Sequence, residues 1–311
     1  MRQTPAISVH LKLAVCLFAA TTGFAQEQPP FPNDLVAFRS VRSKPIFTGR
    51  GEGHWDTKIR ERGWILKEAA TYRMWYTGYD GTREGIKLLG YATSKDGIHW
   101  DRRATPLIDD LWIEDMMVLK HQGRYLMVAE GKNDQSQLLT SKDGLTWKRE
   151  GRLDVRLENG EPIPPGPFGT PTLFFDDGSF HLFYERRDAG VWLAKSTDLT
   201  VWKNVSDQPV LKPGPTEYDK LMIASNQIVK RGDWFYMYYH GTGTPTKPRQ
   251  WCTCIAASRD LVKWTKFERN PLLPVEQNKS SGILVGNAPT LEFFTMHDRV
   301  DVHRPSRTKS K

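Results

Sequence analysis

The sequence predicts an all-β protein: a five-bladed β-propeller whose last blade is closed by a strand from the N-terminus. Three observations carry this. A turn phrase, Ser-x-Asp-[Gly/Leu]-x-x-Trp, recurs four times, and its tryptophans Trp100, Trp147, Trp202 and Trp264 stand 47, 55 and 62 residues apart. Each phrase follows a strand-like segment crowded with aromatic residues, at 72–78, 125–131, 180–186 and 235–241. A fifth unit at 283–302 lacks the phrase, and an unclaimed apolar segment lies near the N-terminus. Self-similarity at this period marks solenoids and propellers.

The chain starts with a segment that should not belong to the fold. Arg2 and Lys12 precede an apolar run at 13–20, and Gly23-Phe24-Ala25 offers small residues for cleavage. Residues 1–25 therefore read as a secretory signal peptide, with cleavage near Ala25 and a secreted or periplasmic destination. Cys16 follows Val15 rather than a small residue, so no lipid anchor is expected. No later stretch is long and apolar enough to span a membrane. Residues 26–33 form a Pro-rich leader, 34–303 the propeller and 304–311 a basic disordered tail. The net charge is +8; without the two cations of the signal and the four of the tail it is +2. That balance excludes a nucleic-acid partner.

Within each unit, an inner strand ends at Ile65-Leu66, Val118-Leu119, Leu173-Phe174 or Ile228-Val229. Turn residues lead from it to the aromatic second strand, whose composition suits a pleated, buried sheet. A third strand follows, as at 89–94 and 191–196, then the Ser-x-Asp turn, then a fourth strand from the tryptophan. Asp-Gly between alternating residues is a hairpin signal. Pro45-Ile46-Phe47 supplies the closing strand that the fifth unit lacks, which also hides an exposed edge. Cys252 and Cys254, two apart on one strand, share a face and are not expected to bridge or to hold a metal.

In an antiparallel blade, the start of the inner strand and the end of the second strand share one face of the disc. Polar groups at that face converge on the central shaft. Before or at the inner strands stand Trp55, Asp56, Glu61, Arg62, Glu114, Asp115 and Thr170. At the ends of the second strands stand Thr77, Glu130, Glu185 and His240, with Arg186 beside Glu185. Phe183-Tyr184-Glu185 sets a carboxyl against an apolar wall, which raises its pKa and suits a general acid. Asp56 would be the opposing base and Trp55 a platform for a sugar ring. The aspartates of the turn phrases recur wherever the turn does and are structural. No phosphate loop, redox motif or zinc spacing is present, so no cofactor or metal is expected.

The run from Tyr72-Arg-Met-Trp-Tyr-Thr-Gly78 to Leu89-Gly-Tyr-Ala-Thr-Ser-Lys-Asp-Gly-Ile-His-Trp100 resembles the five-bladed propeller glycosidases, the superfamily holding glycoside hydrolase families 32, 43, 62, 68, 117 and 130. The resemblance implies carboxylates near the starts of successive inner strands. In family 43, whose members invert, blade one gives a base Asp, blade two an Asp that tunes and orients, and blade three an acid Glu. Aligned on the strands, Asp115 occupies the blade-two position, but Arg62 and Thr170 stand at the other two. Some members of the superfamily place the acid on a His, which keeps His240 a candidate. The expectation is a secreted, inverting glycoside hydrolase of oligo- or polysaccharides, with Asp56 as base, Asp115 orienting and Glu185 as acid. Trp55, Arg62, Glu114, Glu130, Thr170, Arg186 and His240 would bind the sugar. The other reading is a carbohydrate-binding propeller that no longer hydrolyses. A sialidase-like propeller fits less well, because its Asp-box is one residue longer than the phrase here.

Overall fold

A computed structural model of the chain describes Met1 and residues 30–306; the rest of the expected signal peptide, the first half of the leader and the end of the tail lie outside the described residues. Among the described residues there are five mainly antiparallel sheets, one per blade, and helix is confined to Asn33–Val36 and the 3-10 turn Val275–Gln277. The inner strands are Lys58–Glu68, Glu114–His121, Gly169–Asp176, Met222–Arg231 and Gly282–Val285. Each touches the next and the fifth returns to the first, so the ring is closed.

The ring closes as the sequence predicts. Phe38–Ser40 and Phe47–Thr48 pair antiparallel with Arg299–Pro305, the last strand of blade five. Phe38 stacks on Phe293 at 4.2 Å. That last strand runs to Pro305, so Arg304 belongs to blade five rather than to a tail, with Nη2 2.7 Å from Glu292 Oε1. Phe31, in the expected leader, packs on Phe267 at 4.8 Å. Blade three carries an unanticipated outer strand, Asp154–Arg156, parallel to Val201–Asn204.

The turn phrase works through its hydroxyl and carboxylate. Asp96 Oδ1 accepts the backbone N–H groups of Ile98 and His99, both at 2.8 Å, and Ser94 Oγ accepts that of Gly97 at 2.9 Å. The fourth position lies in the left-handed region in every copy (Gly97 φ 72°, Gly144 φ 74°, Leu199 φ 69°, Leu261 φ 65°), which favours glycine there. The turn also joins blades one and two: Trp75 of blade one donates its indole N–H to Gly144 O at 2.8 Å. Trp75 is fully buried, and truncating such a side chain costs about 3–5 kcal/mol. Cys252 and Cys254 are free thiols with sulfurs 3.7 Å apart.

Candidate active site

The inner strands of blades one to four each carry a register shift near the shaft mouth, that of blade four between Ser225 and Gln227. In blade two the strand pairing jumps from Glu114–Glu130 to Met117–Val128, and in blade three from Gly169–Glu185 to Thr172–Phe183. The first extra residues, Asp115 and Thr170, are left-handed at φ 46° and 44°. In blade one the jump runs from Arg60–Thr77 to Trp64–Trp75, one residue longer, and its first extra residue is Glu61, at φ 55°. The blade-one counterpart of Asp115 is therefore Glu61, and the position that the strand alignment assigned to Arg62 holds a carboxylate. Left-handed non-glycine residues cost about 1–3 kcal/mol each, and bulges of this kind re-aim side chains beside active sites.

These residues open into a cavity of about 190 Å³. It brings together the carboxyl groups of Glu61, Asp115, Glu130, Asp134, Glu185 and Asp188, with Thr170 and His240 beside them. Their environments differ. Burial alone would raise Glu61, but the facing His297 and the paired Arg60 outweigh it and hold the carboxyl below the usual glutamate range. Burial, then the charge of Glu61, pushes Asp115 well above the aspartate range. Burial, then Asp115, does the same to Glu130. Burial with the neighbouring Asp188 brings Glu185 up to about 7, and burial with Asp134 and Glu61 brings Asp188 up to about 6. His240 is held down to about 3 by burial and the Arg62 charge, so it is neutral; its Nδ1 lies 3.0 Å from Asn226 Nδ2.

Glu130 and Glu185 approach each other across Gly169. A Cβ on Gly169 would lie 2.2 Å from Glu130 Oε2 and 2.8 Å from Glu185 Oε1, so these two oxygens are no more than 5.0 Å apart, the sum of the two distances. Glu185 also accepts the backbone N–H of Asp188, a further tie to the loop after its strand.

Five of the sequence-predicted residues lie elsewhere. Asp56 is fully buried in its blade: Arg50 Nε lies 2.5 Å from Oδ1, while Arg102 Nη1 at 2.6 Å and Tyr76 Oη at 2.9 Å reach Oδ2. Burial would raise Asp56, but these donors outweigh it and keep the carboxyl low and ionised. Asp219 repeats this arrangement in blade four with Tyr239 and Lys266, so the echo between the two blades is a shared internal anchor for the loop. Trp55 stacks on Tyr76 at 6.0 Å and donates its N–H to Ala104 O, away from the cavity. Arg186 donates to Pro164 O at 2.8 Å. Glu114 pairs with Arg60 at 3.1 Å and accepts from Trp112 at 2.7 Å, behind Arg60 rather than in the cavity.

Arg62 is the most consequential of these corrections. It is fully buried and crosses the shaft beneath the cavity. Nη1 donates to Thr172 Oγ1, Ser225 O and Asn226 O at 2.8, 2.8 and 3.1 Å; Nη2 donates to Asp115 O and Pro171 O at 2.7 and 2.6 Å. One side chain of blade one thereby ties together the inner strands of blades two, three and four. Its own backbone N–H donates to Asp115 Oδ1 at 3.2 Å.

Asp134, Asp188, Trp251 and His297 line the cavity but were not expected there, and Glu61, which the sequence places at that face, was assigned no role. A signal existed for two of them: Asp134 and Asp188 follow Glu130 and Glu185 by four and three residues, at connections too short to leave the cavity face. No cluster of metal-binding side chains occurs among the described residues.

No family model matches the chain. A 1,2-β-oligomannan phosphorylase from Thermoanaerobacter sp. (strain X514) is 27% identical over 230 residues, covering 66% of this chain and 72% of that protein. A β-1,2-mannobiose phosphorylase from the same strain is 25% identical over 275 residues, covering 80% and 87%. The crystal structure of a putative glycosidase from Bacteroides thetaiotaomicron superposes with a TM-score of 0.73 at 16% identity, covering 90% of this chain and 99% of that one. A structure from glycoside hydrolase family 130, described as mannoside phosphorylases that include hydrolases of β-1,2-mannosidic linkages in Candida mannan, gives 0.71 at 15% identity, covering 91% and 99%. The chain shares the five-bladed fold of these glycoside-hydrolase-like propellers, as the repeats implied, and its named sequence relatives are oligomannan phosphorylases.

Proposed function

We propose that the protein cleaves a glycosidic bond of a β-mannoside oligosaccharide by attack of water. The observation that carries this reading is the division of labour among carboxyl groups in one cavity. Glu61 is kept ionised by Arg60 and His297, while Glu185 sits at about 7 against its apolar wall. Groups whose environments separate their titration in this way are suited to be base and acid.

Glu61 takes a proton from water as the water oxygen attacks the anomeric carbon. The bond from that carbon to the leaving oxygen breaks, and Glu185 protonates that oxygen. Asp115, whose carboxyl burial and the charge of Glu61 push well above the aspartate range, orients the sugar. The choice of water over phosphate rests on charge. Six carboxyl groups line the cavity, with Glu61 held ionised among them; of the lining cations Arg60 is already paired with Glu61 and Glu114, and Arg187 stands beside Gly166. A dianionic nucleophile would meet repulsion there. The relatives support a glycosidic bond and a mannoside; the acidic lining supports hydrolysis. Export, read from the N-terminal apolar segment, would place the enzyme with extracellular or periplasmic glycans.

The test is incubation with β-1,2-mannooligosaccharides with and without phosphate. Free mannose in phosphate-free buffer, lost in Glu185→Gln and Glu61→Gln, is the expected result. An absolute requirement for phosphate with formation of mannose 1-phosphate would overturn the water mechanism. Tight binding without any product would favour a lectin-like role.

A further inference from the structure

A groove of about 410 Å³ lies beside the cavity, on the side of blades one and two. The two share their borders. Glu130 and Asp134 line the cavity, while the next residues, Gly131 and Gln135, line the groove. We infer that this groove is a second sugar subsite, holding the further units of an oligosaccharide whose cleaved bond lies in the central cavity. The inference rests on the proposed function for what happens in that cavity.

Trp112 forms the wall of the groove and is fixed from several sides. Its indole N–H donates to Glu114 Oε1 at 2.7 Å, and its carbonyl accepts from Gln137 Nε2 at 2.7 Å. The Lys87 ammonium sits 4.6 Å from its ring centroid and 4.4 Å from that of Tyr79. Lys87 is itself fully buried and donates to Gly85 O at 2.5 Å, so it cannot swing away without losing that bond. An aromatic plane held this firmly loses little freedom when a ligand arrives. Ile86, 42% exposed, and Leu111 extend the apolar surface beside it. Such a plane suits the C–H face of a pyranose.

The polar edge of the groove contains an unmet acceptor. Gln135 Nε2 donates to Gly166 O at 3.0 Å and Asn133 O at 3.1 Å, but its Oε1 is buried without a hydrogen-bond partner. Lys132 and Asp110 complete a rim of both signs. A neutral ligand with many hydroxyls satisfies this combination of aromatic wall and polar edge. An apolar ligand would leave the edge unsatisfied.

The test compares kcat/KM on a β-1,2-mannooligosaccharide series from disaccharide to hexasaccharide. In the wild type, kcat/KM should rise from disaccharide to tetrasaccharide. In Trp112→Ala that ratio should fall about tenfold, the loss of one well-packed aromatic contact. Gln135→Leu and Ile86→Ser should lower it several-fold, and both keep the test open should Trp112→Ala fail to fold. A ratio that is flat in the wild type, or unchanged in all folded variants, overturns the subsite. If no member of the series is cleaved, the proposed function fails on its own, and the groove is judged by native electrophoresis through gels containing mannan, xylan or pectin. Retardation of the wild type by any of these, lost in Ile86→Ser, supports the subsite. No retardation by any, or equal retardation of both, overturns it.

Discussion

Glu130 and Glu185 are held by consecutive backbone amides: Thr170 N–H donates to Glu130 Oε2 at 2.9 Å and Gly169 N–H donates to Glu185 Oε1 at 3.0 Å. The bulge of blade three thus sets the position of two carboxyl groups that belong to different blades. Gly169 has no side chain at the point where they meet. In Gly169→Ala the new methyl would press on both side-chain ends, which are the far tips of jointed side chains rather than backbone, so the fold should survive while the pair is forced apart. We expect kcat to fall at least about tenfold with little change in the thermal midpoint, since a misplacement of about 1 Å at reacting groups costs up to 10²-fold. Unchanged kcat would show that the pair has no part in the chemistry.

The pH profile separates the acid from the base. Glu185 must be protonated to act, so activity should fall as pH rises through about 7. Glu61 must be ionised, and it stays so below the ordinary glutamate range, so the acidic limb should lie low. Glu185→Gln should abolish the alkaline limb along with most of the activity. A substrate with a good leaving group, such as an aryl mannoside, should restore much of the rate to this variant and none to Glu61→Gln.

The same group makes a stability prediction. A carboxyl raised to about 7 binds more protons in the folded chain than in the unfolded one. Its contribution is fully present below the unfolded value and is lost as pH rises through the folded value. His240 and His303, held down to about 3 and 4, act in the opposite sense below their unfolded values, so the clean observable is a difference. The thermal midpoints of wild type and Glu185→Gln should be close near pH 5. By pH 8 the variant should lie a few degrees above the wild type. A gap that stays constant across this range would mean that Glu185 titrates as an ordinary glutamate.

Asp56 offers the converse. With Arg50 and Arg102 on its two oxygens, Asp56→Asn leaves two cations short of a partner. Breaking a buried ion pair costs about 3–5 kcal/mol. The variant should unfold at clearly lower denaturant, while the folded fraction keeps the wild-type kcat. Loss of kcat without loss of stability would return Asp56 to the chemistry.

The fold was readable because its punctuation repeats. The Ser–Asp pair closes the same turn four times, and the aromatic second strands keep a constant offset from it. The site was harder to read because it depends on bulges, which interrupt that offset. Blade one carries 61–63 opposite Tyr76, whereas blade two carries 115–116 opposite Ala129. That single extra residue moved the strand alignment from Glu61 to Arg62 and made a carboxylate look absent. Asp56 misled for another reason: a carboxylate beside a tryptophan ahead of an inner strand has the same sequence appearance whether it faces a ligand or an internal arginine. Glu185 was legible because the apolar residues before it in its own strand create its environment.

Arg62 has one last consequence, which concerns traffic. The guanidinium and its five acceptors stop the shaft like a cork, joining four blades below the cavity floor. A glycan cannot be threaded through the disc from one side to the other. Whatever enters by the open mouth must back out the same way, and a long chain has to lie across the rim with only one part of it dipped inside.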